Sequence, residues 1–337
     1  MKDPALLLLS TVGAHFARHS GYHRLPEFLP EAEALTTARR DPAGGLKYVA
    51  AGVARKLAFT SWYLGGCAAL EWQAWRRLRR GFDGVVHYLW GDADLGFLDL
   101  LLKPEQRLVA TFHNCADTLP QVVRYPRRMR EAAAIILMSE TQRPFFLEAG
   151  VADERIHFIP HGVDTEYFQP AAVPEDFVVL SVGGYRRNFV LLRELCVALP
   201  ELRFEIVAPV DFAGKFAELQ NVKFFSGLND AELLAKYHGA SCLLHVAEQA
   251  TANNVLLEAL ACGLPIVSER VGGIPEYVDE SCALLAPRGD VTALTAALRQ
   301  VALAPLPDLR AAARARAEAL AWPKIAARTL DLYRSLA

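Results

Sequence analysis

The sequence predicts an α/β protein built from two Rossmann-like domains. The chain has 337 residues, which is more than one ordinary core accommodates and about right for two domains of roughly 150 residues each. Short, continuously apolar runs alternate with helical stretches, and such runs are typical of strands that are covered on both faces of a parallel sheet. A proline-containing segment without helical periodicity, 161–176, separates two sets of these runs. These observations predict two consecutive α/β domains.

The apolar runs predict a separate set of strands in each domain. The first set lies at Ala5–Thr11, Val85–Leu89, Leu108–Phe112 and Ala134–Met138. The second set lies at Phe177–Val182, Phe204–Val207, Val222–Phe225, Cys242–Val246 and Pro265–Val267. We place the boundary near residue 170, which gives an amino-terminal domain over 1–170 and a second domain over 171–320. The Trp-Pro step at Trp322 and the apolar positions after it predict a last helix, 321–337, that packs back on the first domain.

Composition narrows the class of protein. With 53% hydrophobic residues, 22% charged residues and a formal net charge of -2, the chain is typical of a globular protein and gives no indication of nucleic-acid binding. The six cysteines are scattered without a CxxC pair, which favours a reducing cytoplasm over a zinc site or a disulfide framework. The apolar start Ala5–Leu9 is too short to span a bilayer and lacks the flanks of a signal peptide. We therefore expect a cytoplasmic protein.

Two long blocks resemble one family of enzymes. Ile135–Pro170, IILMSETQRPFFLEAGVADERIHFIPHGVDTEYFQP, resembles the strand, serine, helix and I-P-N-G-V-D-…-F order of the family-4 retaining glycosyltransferases, the glycosyl transferases group 1. Asn253–Val278, NNVLLEALACGLPIVSERVGGIPEYV, is similar to the donor-site helix and Gly-Gly turn of that family. The strings TFHN at 111–114, SVGGYRRNF at 181–189 and AWP at 321–323 extend the resemblance over almost the whole chain. It implies the GT-B fold, in which an acceptor-side and a donor-side Rossmann-like domain face one another across a cleft.

The resemblance also implies an activity. It indicates retaining transfer of a sugar, of the hexosyltransferase type (EC 2.4), from a nucleotide-diphosphate sugar to an acceptor hydroxyl. UDP, GDP and ADP stay open as the nucleotide, and a sugar, a lipid-linked molecule and a small molecule stay open as the acceptor. A rival interpretation is a nucleotide-sugar-binding subunit that has lost catalysis and supports an active partner.

We expect no obligatory cofactor and no metal. Arginine and helix-dipole contacts can offset the negative charge that develops on the leaving diphosphate. The donor half has no D-x-D carboxylate pair. Asp92 and Asp94 form such a string, but they follow a strand of the first domain, so we discount them as metal ligands.

The turn after Phe177–Val182 carries residues suited to a phosphate. Glycines let a backbone approach a phosphate closely, and a guanidinium can bind it with two hydrogen bonds. In the family a Gly-Arg turn and a nearby lysine hold the diphosphate, whereas this chain has Gly184 where that arginine stands. We predict that Gly183 and Gly184 form the turn, that Arg187 binds the diphosphate and that Arg186 is the reserve candidate. The alternative is that one or both arginines are solvated at the start of a helix.

Polar residues precede the helix-forming run of the second block. Thr251 or Asn253, followed by Asn254, could cap a helix whose positive end faces the diphosphate. By resemblance, Glu258 accepts hydrogen bonds from the ribose hydroxyls, and the alternative is an exposed helix glutamate. The family usually has a further glutamate eight residues earlier, where this chain has Ala250.

Other donor-side residues follow from the same comparison. Glu248 and Gln249 lie close to the missing carboxylate, and either could reach the sugar hydroxyls; the alternative for Glu248 is a surface charge. The resemblance assigns Gly272 and Gly273 to the last donor-side turn, with Glu276 as a weaker sugar-contacting candidate.

The first domain contributes two predicted site residues and one unusual stretch. By resemblance, His113 borders the transferred sugar and Gly21 allows a close backbone approach on the acceptor side. The stretch 46–80 combines aromatic and basic residues, namely Trp62, Tyr63, Trp72 and Trp75 with Arg55, Lys56, Arg76, Arg77, Arg79 and Arg80. Such a helix pair can lie on an anionic membrane at its inner face or bind a lipid-linked acceptor. The alternative is two ordinary helices with buried aromatic rings and solvated arginines.

Overall fold

The computed structural model of the protein describes residues 3–13, 17–41, 45–303 and 307–336, without the side chains of residues 45–48 and 307. The outermost bounds predicted above, residues 1 and 337, and the first side chains of 46–80 therefore lie outside the described residues. The chain divides into two compact units. Unit 1 takes its residues from 1–16, 21–161 and 322–337, and unit 2 from 17–20 and 162–321.

Unit 1 contains a parallel sheet of six described strands in the order β2-β1-β3-β4-β5-β6. The strands are β1 Ala5–Val12, β2 Glu33–Ala38, β3 Gly84–Tyr88, β4 Gln106–Phe112, β5 Ala134–Leu137 and β6 Ile156–Phe158. All four residues of β5 are buried, as expected for an inner strand of a parallel sheet. The core of the unit joins apolar residues of β1, β3, β4 and β5, including Leu7, Val86, Phe112 and Ile135.

Helices connect these strands. They are α1 Gly45–Leu57, α2 Gly65–Leu78, α3 Gly91–Asp94, α4 Leu119–Val122 and α5 Arg143–Glu148. Short 3-10 helices lie at Tyr22–Phe28, Leu98–Leu101, Pro126–Glu131, Glu140–Gln142 and Asp153–Arg155. The carboxyl end of each inner strand therefore opens into a loop or a short helix, which is where ligands bind in open α/β sheets.

Unit 2 repeats this plan with strand order β12-β11-β10-β7-β8-β9, all parallel. Its strands are β7 Val178–Val182, β8 Arg203–Val207, β9 Val222–Phe225, β10 Cys242–His245, β11 Ile266–Glu269 and β12 Ala283–Ala286. Its helices are α6 Phe189–Ala198, α7 Asp230–His238, α8 Asn254–Ala261, α9 Ile274–Tyr277, α10 Val291–Leu303 and α11 Pro307–Ala319, with a 3-10 helix at Val210–Lys215.

The last helix, α12 Trp322–Ser335, belongs to unit 1. The Tyr333 hydroxyl lies 2.5 Å from Nδ1 of His87 on β3, and the Trp322 ring meets the edge of Tyr22 with centroids 5.8 Å apart. Both Trp322 and Tyr333 are buried, which fixes the helix to the unit that holds the amino terminus. The division between the units falls between His161 and Gly162, a few residues before the predicted boundary near residue 170.

The predicted class, two Rossmann-like α/β units, is confirmed by the two parallel sheets. All nine predicted strands are present within one or two residues of their predicted bounds. The sequence analysis missed β2, β6 and β12, and all three lie at sheet edges. Residues of β2 alternate between half-buried and exposed, so this strand lacks the continuous apolar run by which inner strands were identified.

Within the described residues, no helix has both the length and the apolar character that crossing a membrane requires.

Candidate functional site

The turn after β7 is shaped by two glycines in different ways. Gly183 has φ +100°, a conformation that favours glycine, and its backbone packs against the Arg187 guanidinium. At Gly184 an added Cβ would lie 2.6 Å from Cδ of Pro209. A side chain at this position, such as the arginine that the resemblance leads us to expect, would therefore collide with Pro209.

Arg187 is a buried cation at the carboxyl end of β7. Its residue surface is only 8% exposed, Nε donates a hydrogen bond to the Val182 carbonyl oxygen at 3.0 Å, and Nη2 donates to Oδ1 of Asn253 at 3.3 Å. Burial lowers the pKa of Arg187 to about 10, so the guanidinium is still charged at neutral pH. No carboxylate of the described residues pairs with it. A buried charge without a counterion is costly, and an anionic ligand would compensate it.

Arg186, the reserve candidate, has a left-handed backbone with φ +52°. Its carbonyl oxygen accepts a hydrogen bond from the Glu248 amide at 2.9 Å. This backbone contact joins the turn after β7 to the loop after β10. Left-handed conformations at residues other than glycine cost free energy and cluster at ligand sites.

Asn253 links the arginine to the start of α8. Its Oδ1 accepts a hydrogen bond from the Leu256 amide at 3.4 Å, which makes Asn253 rather than Thr251 the N-cap, and it accepts the bond from Arg187 as well. Thr251 is buried beside it, and Asn254 is exposed in the first turn. A positive helix end and a positive side chain thus lie together, an arrangement suited to an anion.

Glu258 is buried in α8, so the alternative of an exposed helix glutamate is wrong. It is 4% exposed, and its carboxylate accepts hydrogen bonds from the Ser20 hydroxyl at 2.5 Å and the Tyr237 hydroxyl at 2.7 Å. Burial raises the pKa of Glu258. Both hydroxyl partners were missed from the sequence, because they come from the amino-terminal segment 17–20 and from α7.

His245 is a further buried group of unit 2 that was missed. It ends β10, is 1% exposed, and its Nε2 has no partner at bonding distance among the described residues. Burial, and then the charge of Arg187, holds the pKa of His245 well below its usual range. The imidazole is therefore neutral beside a cationic group. Its position inside the apolar run Cys242–Val246 hid it, because that run was interpreted as a strand and core.

In the loop after β10, the backbone of Ala250 is packed against the Gly-Gly turn. Ala250 is 5% exposed, and its carbonyl oxygen accepts a hydrogen bond from the Gly273 amide at 2.9 Å. An added Cβ at Gly272 would lie 2.1 Å from the same oxygen, and Gly272 has φ +52°. Glu248 is exposed in this loop. The Gly-Gly turn therefore packs directly on the backbone of residue 250, while the carboxylate of Glu248 faces solvent.

Gly272→Ala should destabilise unit 2 by about 1 to 3 kcal/mol, because the new methyl group meets a backbone oxygen that cannot move easily. Gly289→Ala is the matched control, since Gly289 also has a positive φ, +74°, but nothing lies within 4 Å of its added Cβ. Urea denaturation of both variants measures the difference. Equal losses of unfolding free energy would show that backbone strain, and not the contact with Ala250, requires the glycine.

In unit 1, His113 follows β4 and is held in one orientation. Its Nε2 donates to the Leu89 carbonyl oxygen at 2.7 Å, its amide donates to Asp92 at 2.8 Å, and its ring lies against Trp90 with centroids 4.0 Å apart. Burial lowers the pKa of His113 to about 4. The histidine is therefore neutral at physiological pH, with its proton on Nε2.

The D-x-D string has a structural explanation. Oδ2 of Asp92 accepts hydrogen bonds from the backbone and side-chain amides of Asn114, and the Asp94 carboxylate accepts from the amide and hydroxyl of Thr11, each at 2.7 Å. Asp92 thus holds the loop after β4, and Asp94 holds the carboxyl end of β1. Across the described ranges no three His, Cys, Asp or Glu residues group as metal ligands do.

Gly21 precedes the 3-10 helix Tyr22–Phe28 with φ +108°. An added Cβ there would lie 2.8 Å from Nδ1 of His23. The residue therefore needs to be glycine for local reasons, whether or not a ligand approaches.

Two family profiles match the chain in separate parts. Residues 31–167 match the family described as Glycosyltransferase Family 4, and residues 176–303 match the one described as Glycosyl transferases group 1. The two matches fall in the two halves that the sequence analysis separated.

Curated relatives are similar at a moderate level. The MMP alpha-(1->4)-mannosyltransferase of Mycolicibacterium hassiacum is 31% identical over 219 residues, which is 59% of this chain and 53% of that protein. A D-inositol 3-phosphate glycosyltransferase of Streptomyces scabiei is 26% identical over 311 residues, covering 77% of this chain and 70% of that protein. The chain spans about half the length of the first curated relatives it matches.

Solved structures are similar over nearly the whole chain. Sucrose-phosphate synthase from Thermosynechococcus elongatus gives a TM-score of 0.75 at 21% identity, covering 99% of each chain. The Anabaena protein Alr3699/HepE, solved in complex with UDP, gives 0.72 at 15% identity, covering 98% of this chain and 100% of that one. At these identities the likeness shows the fold, which is the GT-B fold.

Proposed function

Because this chain belongs to the glycosyltransferases of group 1 and family 4, we propose that it moves a sugar, with retention, from a nucleotide-diphosphate sugar to an acceptor hydroxyl. Unit 2 is the donor side and unit 1 the acceptor side. In this reaction the bond between the anomeric carbon and the diphosphate breaks, the diphosphate leaves with the electron pair, and the acceptor oxygen bonds to the same face of the sugar. The acceptor proton is released to the diphosphate or to solvent.

One observation carries the donor assignment. Arg187 is buried, charged and without a carboxylate partner among the described residues, and Asn253 ties it to the N-terminus of α8. A diphosphate supplies the negative charge that this place lacks. Because the leaving group gains charge during transfer, contacts that strengthen as it leaves accelerate the reaction.

The other site residues take roles that fit their surroundings. We propose that Glu258 accepts hydrogen bonds from the ribose hydroxyls, since its carboxylate is held by Ser20 and Tyr237. We propose that His113 borders the transferred sugar as a neutral imidazole, since burial holds its pKa near 4. Catalysis is then mostly positioning and charge stabilisation, with no obligatory metal.

Glu248 is our proposed substitute for the carboxylate missing at Ala250. Glu248→Ala should lower turnover about two- to tenfold, the effect of losing one hydrogen bond to a sugar hydroxyl. Ala250→Glu should give no gain, because position 250 is buried and two carboxylates in one pocket would repel. Glu218→Ala, an exposed change in the same unit, is the control in steady-state kinetics. Unchanged turnover in Glu248→Ala would assign the sugar contacts to the backbone or to Asn253 and Asn254.

A binding subunit without catalysis is the second candidate, favoured by Ala250 and Gly184, which replace two residues usual in the family. Incubating the purified chain alone with UDP-, GDP- and ADP-sugars and measuring nucleotide release separates the two functions. We expect donor hydrolysis or transfer by the chain alone. Donor binding without any release would favour the subunit.

We also propose that the protein is cytoplasmic and meets the inner face of the membrane peripherally through residues 46–80. The acceptor stays open among a sugar, a lipid-linked molecule and a small molecule. A peripheral position would bring a lipid-linked acceptor within reach of unit 1.

A further inference from the structure

Helix α1 exposes its larger apolar side chains, although one alanine of the helix is buried. Val49, Val53 and Leu57 are 61%, 55% and 59% exposed, whereas Ala51 is 8% exposed. The exposed three are four residues apart, so they lie one above another on a single face of the helix. A helix that faces water normally shows the reverse, with its large apolar residues toward the core.

Exposed tryptophans lie in the same segment of unit 1. Trp62 is 41% exposed, and Trp72 on α2 is 58% exposed. Trp72 stacks on Trp75 with centroids 5.0 Å apart, and the Arg79 guanidinium lies 4.9 Å from the centre of the Trp75 ring. Tryptophan and arginine side chains each have an apolar part and a polar or charged end, so when exposed they favour a boundary between apolar and aqueous phases.

The exposed charged side chains of segment 49–80 are all basic. Between residues 49 and 80 the sole acidic residue is Glu71, which is 7% exposed and accepts hydrogen bonds from the Tyr63 and Tyr88 hydroxyls and from backbone amides. Its negative charge is therefore turned inward. Exposed basic residues of the segment that have no acidic partner within the described part of the chain are Lys56, Arg76, Arg79 and Arg80.

We infer that the exposed apolar and basic side chains of segment 49–80, which we call its basic apolar face, bind an anionic lipid bilayer. They are Val49, Val53, Leu57, Trp62, Trp72, Lys56, Arg76, Arg79 and Arg80. The apolar side chains enter the boundary between headgroups and acyl chains, and the basic side chains bind lipid phosphates. This deepens the proposed peripheral contact by naming the residues that insert and those that attract. Complementary charge favours an anionic bilayer over a neutral one.

Flotation of the whole protein with vesicles tests the inference without donor or acceptor, so its failure would leave the proposed transfer untouched. One set of vesicles is phosphatidylcholine alone, and the other contains equal parts phosphatidylcholine and phosphatidylglycerol. We expect binding to the anionic set at low salt, weakened by high salt. Arg76→Gln, Arg79→Gln and Arg80→Gln together should weaken partitioning about a hundredfold, from about fivefold per charge near the surface.

The apolar part of the face has its own variant. Val53→Gln with Leu57→Gln should weaken binding about tenfold or more at both salt concentrations, because the lost contact is not electrostatic. Matched controls are Val190→Gln with Val197→Gln, residues that are 65% and 51% exposed on α6 in unit 2. These controls should bind vesicles as the wild type does.

Three results would overturn the inference. Wild-type protein could fail to float with the anionic vesicles at low salt, or the α1 variant could float as well as the wild type. Sedimentation could instead reveal a dimer that Val53→Gln dissociates, which would assign the face to a second copy of the chain.

Discussion

Arg187→Ala is expected to lower donor turnover about tenfold or more. The guanidinium is buried and has no carboxylate partner in the described structure, and in the proposed function the donor diphosphate is its counterion. A charge-assisted hydrogen-bond pair of this kind contributes roughly 1.5 to 3 kcal/mol, which corresponds to at least tenfold in rate. Steady-state kinetics with the preferred nucleotide sugar measures the loss.

Two variants sharpen this prediction. Arg187→Lys keeps a charge but loses the planar fork and the Nε bond to Val182, so it should recover only part of the activity. Arg186→Ala is the matched control, since it removes the neighbouring arginine and leaves Arg187 and Asn253 in contact. If Arg186→Ala abolished transfer while Arg187→Ala matched the wild type, the diphosphate would be bound by the other arginine.

Glu258→Gln should weaken donor binding about tenfold while the protein remains folded. A carboxylate that accepts hydrogen bonds from ribose hydroxyls contributes roughly 1.5 to 3 kcal/mol, and an amide offers one acceptor oxygen in place of two. Glutamine keeps the volume of the buried side chain between Ser20 and Tyr237. Calorimetric titration with the nucleotide sugar measures affinity, and circular dichroism checks the fold.

The pH dependence of stability gives a second readout for this variant. Burial raises the pKa of Glu258 in the folded chain. The contribution of this group to stability is therefore complete below its pKa in the unfolded chain and is lost as pH rises through its higher folded pKa. Glutamine does not titrate, so Glu258→Gln should be as stable as the wild type at neutral pH, or more stable.

Glu205→Gln is the control for both measurements, because Glu205 is a half-buried glutamate of the same unit that pairs with Lys236. It should leave donor affinity unchanged. Unchanged affinity in Glu258→Gln would contradict its assignment to the ribose, and an unfolded protein would show that the carboxylate is needed for the structure of unit 2.

How far the sequence predicted the fold depended on the position of each strand. Inner strands such as β5 are buried on both faces and appear as uninterrupted apolar runs, so they were found. Residues of the edge strand β2 alternate between half-buried and exposed, so its sequence has no continuous apolar run that would indicate a strand. Two other edge strands, β6 and β12, have only three and four residues, too few for a periodic signal.

Candidate site residues could be predicted where a polar or charged side chain directly follows a predicted strand or begins a predicted helix. Arg187 follows two glycines at a strand end and Asn253 caps a helix, so local patterns indicate these two as candidates, whereas Glu258 was indicated by the resemblance to the family. Their partners were not predictable, because Ser20 and Glu258 are 238 positions apart in sequence and meet only in the folded unit.

Contacts at glycine positions are tertiary as well. Gly184 packs against Pro209, and Gly272 packs against the backbone of Ala250. The amino-acid sequence shows that a glycine is present, but it does not show which neighbouring residue in the folded protein excludes a side chain there. The contact with Pro209, which excludes a side chain at position 184, therefore became visible only in the structure.

Thermal unfolding of the purified protein with UDP-, GDP- and ADP-sugars tests the central claim most directly, since it asks whether the folded chain binds a nucleotide-sugar donor. A donor at ~100 times its dissociation constant should stabilise the folded state by about 2.7 kcal/mol, and one nucleotide should do so at lower concentration than the others. Arg187→Ala should lose most of that stabilisation. No shift with any of the three donors at millimolar concentration, in a protein that unfolds cooperatively, would contradict the account.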